Sequence, residues 1–308
     1  MDQRLSIGQI EVEVTHADRL LFPDDGITKG DLAAYYRDVA DAMLPHVLGR
    51  PLHMQRFPRG VAEAGFVQKE VPENAPKWVE RVTVEKEGGH VTHAVCDNAA
   101  TLVWLANLSC ITPHVWQSRI DSLDRPDRMV LDLDPAEDDF ESVRRAAKLL
   151  RALLDELELS AFLMSTGSRG LHVVVPLQPQ RDFDSVRAIS QQIADELVRR
   201  DPERMTVEMR KEDRCGRLFV DTLRNSYGAT AVTPYAVRAR AGAPVAAPLE
   251  WDELDDPNTN PRRFTLRNMD ARLRESGDLW RGMEQKAVSL NEVPARLRHL
   301  RGGRAHAA

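Results

Sequence analysis

Arg128-Met129-Val130-Leu131-Asp132-Leu133-Asp134-Pro135 alternates apolar and acidic side chains from Leu131 to Asp134 and ends in a proline. Successive side chains of a strand point to opposite faces, so Val130, Asp132 and Asp134 share one face while Leu131 and Leu133 pack behind it. Pro135 lacks an amide donor and ends the ladder, which puts Asp134 at the strand tip, where a ligand can reach it. Two neighbouring carboxylates repel unless a proton or a cation intervenes. For an exposed pair at neutral pH, a divalent metal with oxygen ligands answers that repulsion. A bare D-x-D is short and equally describes a strand edge with two solvated acids, so the surrounding segments must decide.

Downstream, Phe140, Val143, Ala147, Leu150, Leu154 and Leu157 recur at helical spacing and predict an amphipathic helix over about 138–158. Ala161 to Ser165 and Leu171 to Val175 read as strands. Between them, Thr166-Gly167-Ser168-Arg169-Gly170 combines two glycines, two hydroxyls and a guanidinium, a composition suited to cradling phosphate. His172 adds a donor if its side chain returns to the same face; the alternative is a hairpin turn with a core histidine. Asp184 is expected to cap a helix over about 185–200. Arg217-Leu218-Phe219-Val220-Asp221 then repeats the first design, an apolar run that presents a third acid at a strand tip. Arg238-Ala239-Arg240 would place two guanidiniums on one side of an extended segment.

Upstream, residues 10–14 alternate like a strand, and Thr28 with Asp31 three residues on is expected to cap a helix over about 29–45. Arg19 and Lys29 would lie on an exposed cationic edge. Strands near 51–57 and 65–70 interleave Arg56, Phe57, Arg59, Phe66 and Lys69, cations and aromatics of the kind that stack a base while holding a phosphate, although aromatics in strands more often fill a core. A helix from about Asn98 to Cys110 and a strand over Pro113 to Gln117, which carries His114, complete this half.

The chain has 308 residues and a net charge of −6, which argues against indiscriminate coating of nucleic acid but leaves room for a local basic groove. From Arg204 to Arg240, eight basic residues face four acidic ones. Three cysteines, Cys96, Cys110 and Cys215, lack paired metal-ligand spacing and suggest neither a disulfide framework nor a zinc ribbon, which fits a reducing cytoplasm. No apolar run is long enough to span a membrane.

Three carboxylates at strand ends, a glycine-hydroxyl-cation turn and an arginine cluster together point to nucleotidyl transfer. Acids would hold two metal ions, the cradle a nucleoside triphosphate, and the basic stretch nucleic acid. At these residues the sequence resembles the polymerase domain of bacterial DNA ligase D, in the archaeo-eukaryotic primase superfamily. The acidic motif matches Leu131-Asp132-Leu133-Asp134-Pro135. The phosphate motif matches Ser165 to His172, and the third acid matches Phe219-Val220-Asp221 followed by Leu223-Arg224-Asn225. The matches keep the family's order from Thr15 to about Leu254. Arg169 and Arg19 stand where members often have lysine, Val67 follows Phe66 in place of a second aromatic, and no K-x-D-G ligase signature occurs.

The resemblance implies an α/β (α+β) fold, a primase-like catalytic core with an RRM-like mixed sheet against an N-terminal α/β module. The expected organisation is one catalytic domain over 1–290, with its N-terminal module at 1–112, core at 113–240 and C-terminal wrap at 241–290, then a flexible tail at 291–308. Asp132, Asp134 and Asp221 would be catalytic and bind two Mn²⁺ or Mg²⁺ ions. Thr166, Ser168, Arg169, Gly170, His172, His114, Arg224, Arg238 and Arg240 would bind the nucleotide, with Thr166 and His114 near the sugar. Arg19, Lys29, Arg56, Phe66 and Lys69 would contact DNA, Arg19 and Lys29 through a downstream 5′-phosphate. The implied substrates are NTPs or dNTPs, with ribonucleotides preferred, and DNA carrying a 3′-hydroxyl primer. Ku and a separate ATP-dependent DNA ligase are the implied partners, in a bacterial cytoplasm at the nucleoid and with no membrane. Two rivals stand beside this reading: a non-catalytic DNA-end module, and a glycosyltransferase that holds a nucleotide sugar on its D-x-D.

Overall fold

The computed structural model describes residues 1–86 and 88–303. Along the chain, β1 (Gln3–Ile7), β2 (Ile10–Val14), β3 (Leu20–Phe22) and β4 (Ile27–Thr28) precede α1 (Lys29–Asp38) and α2 (Ala40–Val47). Then come β5 (Leu52–Arg56), β6 (Phe66–Gln68), β7 (Glu80–Lys86), β8 (Gly89–Val95), α3 (Ala99–Asn107) and β9 (Cys110–Trp116). A second run follows: β10 (Arg128–Asp134), α4 (Phe140–Glu156), β11 (Phe162–Ser165), β12 (Leu171–Pro176), α5 (Phe183–Arg200), β13 (Met205–Thr206) and β14 (Leu218–Asp221). The chain ends with β15 (Thr230–Val232), β16 (Pro248–Leu249), α6 (Met269–Ser276) and α7 (Val293–Gly303).

Among the described residues two compact units result, one from 1–121, 230–248 and 262–281, the other from 122–229, 249–261 and 282–303. The division falls at 121/122 rather than 112/113, so β9 and β15 belong to the first unit and not with the strands that carry the acids.

In the first unit, β15, β9, β5 and β6 form an antiparallel sheet in that order. The expected capping box closes as Thr28 Oγ1 accepts from the Asp31 amide while the Asp31 carboxylate accepts from the Thr28 amide. The single helix expected over 29–45 is instead two, broken at Val39; Pro45 sits inside the second.

In the second unit, β10-α4-β11-β12-α5-β14 is a βαββαβ unit with strand order β14-β10-β12-β11, the split arrangement of an RRM-like sheet. Its internal pairings are antiparallel, and the parallel β13–β14 pair makes the sheet mixed. Helix α4 buries Val143, Ala146, Ala147, Leu150, Leu153 and Leu154, the i, i+3, i+4, i+7 stripe of an amphipathic helix. Its cap is Asp139, and the cap of α5 is Asp182 rather than Asp184, each carboxylate accepting from the amide three residues on.

The tail expected from residue 291 is shorter than that, because 293–303 is helix α7. Val293 and Leu297 are buried, and Arg296 donates to the Leu157 carbonyl at 2.6 Å. The rest of that expected tail, 304–308, lies outside the described residues. No helix among the described residues is long and apolar enough to cross a membrane.

Candidate active site

Strand β10 lies between β12 and β14, and its register decides the site. Asp132 pairs with Asp221 on one side and with His172 on the other. Directly opposite residues share a face with Cβ atoms about 4.5–5.5 Å apart, so one row across three strands reads His172, Asp132, Asp221. Asp134, two residues on, shares that face and ends β10, and Asp221 ends β14, as the alternation of both strands predicted. Asp132 is buried and Asp134 half-buried, so the D-x-D acids are not the exposed pair expected, and Asp221 is buried as well.

Arginines and a histidine answer these acids. The Asp132 Oδ2 lies 3.4 Å from His172 Nε2 and accepts from Arg224 at 3.4 Å. Burial alone would raise the Asp132 carboxyl, but His172 and Arg224 outweigh it and hold it below the usual carboxylate range. Asp221 shifts the other way: burial raises it, the Leu223 amide donating to Oδ1 at 2.7 Å opposes, and the Asp132 anion adds to the rise. Asp134 accepts from Arg169 at 3.1 Å and pairs with Arg214 at 3.5 Å.

Arg214 is the site residue that sequence reasoning did not single out. Its guanidinium lies 3.9 Å above the Phe219 ring and donates to the carbonyls of Glu208 and Met209. The one signal was its place in the basic stretch, seven residues before Asp221.

The turn from β11 to β12 is built around Thr166. Its hydroxyl donates to the Gly170 carbonyl at 3.0 Å and accepts from the Ser168 and Gly170 amides, both at 3.3 Å. Those two amides therefore point into the turn, leaving Ser168 and Arg169 as its half-buried polar side chains. A Cβ on Gly170 would lie 2.1 Å from the Leu133 carbonyl oxygen, so glycine is required by the approach of the turn to β10.

Metal fit follows from the donor set. Among the described residues no three His, Cys, Asp or Glu side chains converge as a ready metal cage. Arginines and His172 take up the carboxylate oxygens instead. Three carboxylates on two adjacent strands, two of them face to face, nevertheless suit a hard divalent cation with oxygen ligands, which would relieve the repulsion the arginines now meet.

The remaining expected residues lie in the first unit. His114 is on β9, opposite His53 of β5, whose ring stacks on His93 at 5.3 Å. Arg238 and Arg240 do not share one side of an extended segment, because the chain bends at 239–240 and turns at Gly242. Arg19 is exposed and donates to the Pro58 carbonyl at 2.9 Å. Lys29 is buried rather than on an exposed edge, its ammonium donating to the Thr15 carbonyl at 2.7 Å. Burial, then the Arg19 cation, push Lys29 down to about 8. Arg56 donates to Leu108 O and Gln68 Oε1 and lies 5.5 Å from the centre of the Phe66 ring. Phe66 is 49% exposed on the edge strand β6, and Lys69 follows that strand.

Residues 28–280 match the family model described as LigD, primase-polymerase domain. The chain is 35% identical over 271 residues to the multifunctional non-homologous end joining protein LigD of Mycolicibacterium smegmatis, covering 87% of this chain and 35% of that protein. It is 32% identical over 285 residues to the bifunctional non-homologous end joining protein LigD of Bacillus subtilis, covering 91% of this chain and 46% of that one. It thus spans less than half the length of these relatives. The polymerase domain from Mycobacterium tuberculosis ligase D, solved in complex with DNA, superposes with a TM-score of 0.85 at 34% identity, over 90% of this chain and 99% of that one.

Proposed function

The chain belongs to the LigD primase-polymerase domain family, and from that premise we propose that it adds nucleotides to a primer 3′-hydroxyl under the direction of a template, at short gaps or ends of broken DNA. The observation that carries this reading is the Asp132–Asp221 register with Asp134 two residues on, a carboxylate set suited to two metal ions. With two Mn²⁺ or Mg²⁺ ions bound, the site would gain Lewis acidity at the 3′-hydroxyl and at the leaving pyrophosphate. The new bond joins O3′ to the α-phosphorus, and the bond from that phosphorus to the bridging oxygen of the β-phosphate breaks.

Asp132, Asp134 and Asp221 would hold the ions. Asp221 would also help to activate the primer 3′-hydroxyl. Ser168 and Arg169 hold the triphosphate on the turn that Gly170 allows to approach β10, and Arg169 exchanges Asp134 for phosphate, an equally good partner for its planar fork. His172 and Arg224 keep Asp132 ionised at neutral pH. Such catalysis is positioning and electrostatics, without a covalent intermediate on the protein.

His114, Arg238 and Arg240 would also bind the nucleotide, and Arg19, Lys29, Arg56, Phe66 and Lys69 would contact DNA. Lys29 and Arg19 bind the 5′-phosphate of the downstream strand, and exposed Phe66 stacks on template. Ribonucleotides are preferred, through His114 and through Thr166, which acts by shaping the turn because its hydroxyl is engaged within it. Replacing both residues with alanine and finding the ribose preference unchanged would refute that assignment. The relatives' names place them in non-homologous end joining, which makes Ku and a ligase the partners to test.

The deciding experiment is extension of a labelled primer across a short gap with a downstream 5′-phosphate, using Mn²⁺ and either ribonucleotides or deoxyribonucleotides. Templated addition by the wild type that vanishes in Asp132→Ala and Asp221→Ala supports the reading. Binding without addition would favour an end-binding module, and neither binding nor addition would remove DNA as the substrate.

A further inference from the structure

Strand β14 ends at Asp221, and the chain leaves the sheet in a 3-10 turn over Leu223–Asn225. Continuing the Asp132–Asp221 register by two residues would put Leu223 opposite Val130, but the turn carries Leu223 away. The Val130 amide and carbonyl would then lose their ladder partners inside a buried sheet, where an unsatisfied polar group is costly. Asn225 fills the gap. Its side chain is fully buried, Oδ1 accepts from the Val130 amide at 2.8 Å, and Nδ2 donates to the Val130 carbonyl at 2.8 Å. One carboxamide thus makes both bonds that a neighbouring strand would have made. Nδ2 also lies 2.9 Å from the Thr222 carbonyl and 3.2 Å from Ser190 Oγ on α5, which fixes the carboxamide in orientation.

We propose that Asn225 is a positioning residue of the metal site, its carboxamide standing in for a strand so that Asp132 on β10 and Asp221 on β14 stay face to face after β14 ends. The inference rests on the nucleotidyl-transfer reading above. Asn225 lies four residues after Asp221 and clamps a backbone two residues before Asp132, so it ties both acids to one rigid frame while touching neither. Between them, the turn it closes also carries Arg224 to Asp132. The amide is needed rather than an acid: aspartate keeps the acceptor for the Val130 amide but turns an oxygen toward the Val130 and Thr222 carbonyls.

The test compares wild type with Asn225→Asp and Asn225→Ser in a calorimetric Mn²⁺ titration, and in primer extension as a function of Mn²⁺ concentration. Residues that orient metal ligands through another group are worth about 10–100-fold in metal affinity or activity. The expected result is a weakening of Mn²⁺ binding in that range by folded variants, with the same shift in the Mn²⁺ midpoint of extension. A variant with a lower Tm but Mn²⁺ affinity within about threefold of wild type shows a merely structural clamp and overturns the proposal. Should neither variant fold, hydrogen exchange of the wild-type Val130 amide decides. Slowing by Mn²⁺ supports the proposal, and exchange unchanged by Mn²⁺ overturns it. Wild type that neither binds Mn²⁺ nor extends primers defeats the nucleotidyl-transfer reading itself, and the positioning role with it.

Discussion

Asp132 and Asp221 face each other across adjacent antiparallel strands, two acids in a row of the sheet where like charges destabilise the pair. The protein tolerates this by pressing His172 and Arg224 against Asp132 and by leaving Asp221 with a raised carboxyl. Such an arrangement favours function over the stability of the metal-free state.

Asp221→Asn removes one charge and keeps an acceptor for the Leu223 amide. The metal-free variant should therefore be as stable as wild type or more so, by up to about 1 kcal/mol. Its primer extension should fall by roughly 1,000-fold or more, because metal stabilisation of the transition state is worth several kcal/mol. Thermal melting without metal and single-turnover extension measure the two effects; a large loss of Tm would contradict the account.

Gly170→Ala should lose about 1–3 kcal/mol of stability, since its Cβ would overlap the Leu133 carbonyl and the backbone of β10 or of the turn must move. Extension should drop by more than the unfolded fraction explains, because Asp134 is the next residue along that strand. Ser168→Ala, which alters the turn without overlap, serves as the control in urea denaturation and should retain wild-type stability.

Recognition of the downstream 5′-phosphate should fade as pH rises through about 8. Lys29 is held down to that value by burial and by Arg19, and a bound anion favours its charged form. The preference is thus full well below pH 8 and declines as pH rises above it, to the part that Arg19 keeps. The measurement is the affinity ratio for phosphorylated over unphosphorylated gapped duplex between about pH 7.5 and 9.5. Lys29→Arg, charged throughout, should flatten the profile.

Glu196 on α5, with a side chain closed to solvent, binds Arg199 and Arg200 and pairs with Arg301 of α7. The hydrogen bond from Arg199, ahead of that from Arg200, holds its carboxyl below the ordinary value of 4.5 despite burial. A depressed carboxyl stabilises the fold above its unfolded value and loses that contribution as pH falls through the folded one. Glu196→Ala should cost about 3 kcal/mol at pH 7. The gap to wild type should close below pH 4.5, as chemical denaturation across pH will show.

Much of the site was legible because strand alternation and strand-ending residues are local properties. Pro135 marks where β10 stops, and the apolar run before Asp221 marks β14, so the acids could be placed on strand tips before their partners were known. The capping box at Thr28 and the stripe of α4 were legible for the same reason. What could not be read was pairing. That Asp132 meets Asp221 and not another strand, that Lys29 is buried beneath Thr15, and that Arg214 reaches Asp134 all depend on long-range register. The break at Val39 and the bend after Arg238 likewise escaped periodicity, which registers apolar spacing and not the local turn of the backbone. Side-chain alternation and strand-ending residues were enough to place the acids and the glycine-hydroxyl turn on their elements. Which of them face each other was left to the folded chain, because register is set by the packing of whole strands and helices and by single side chains such as Asn225 that complete a ladder.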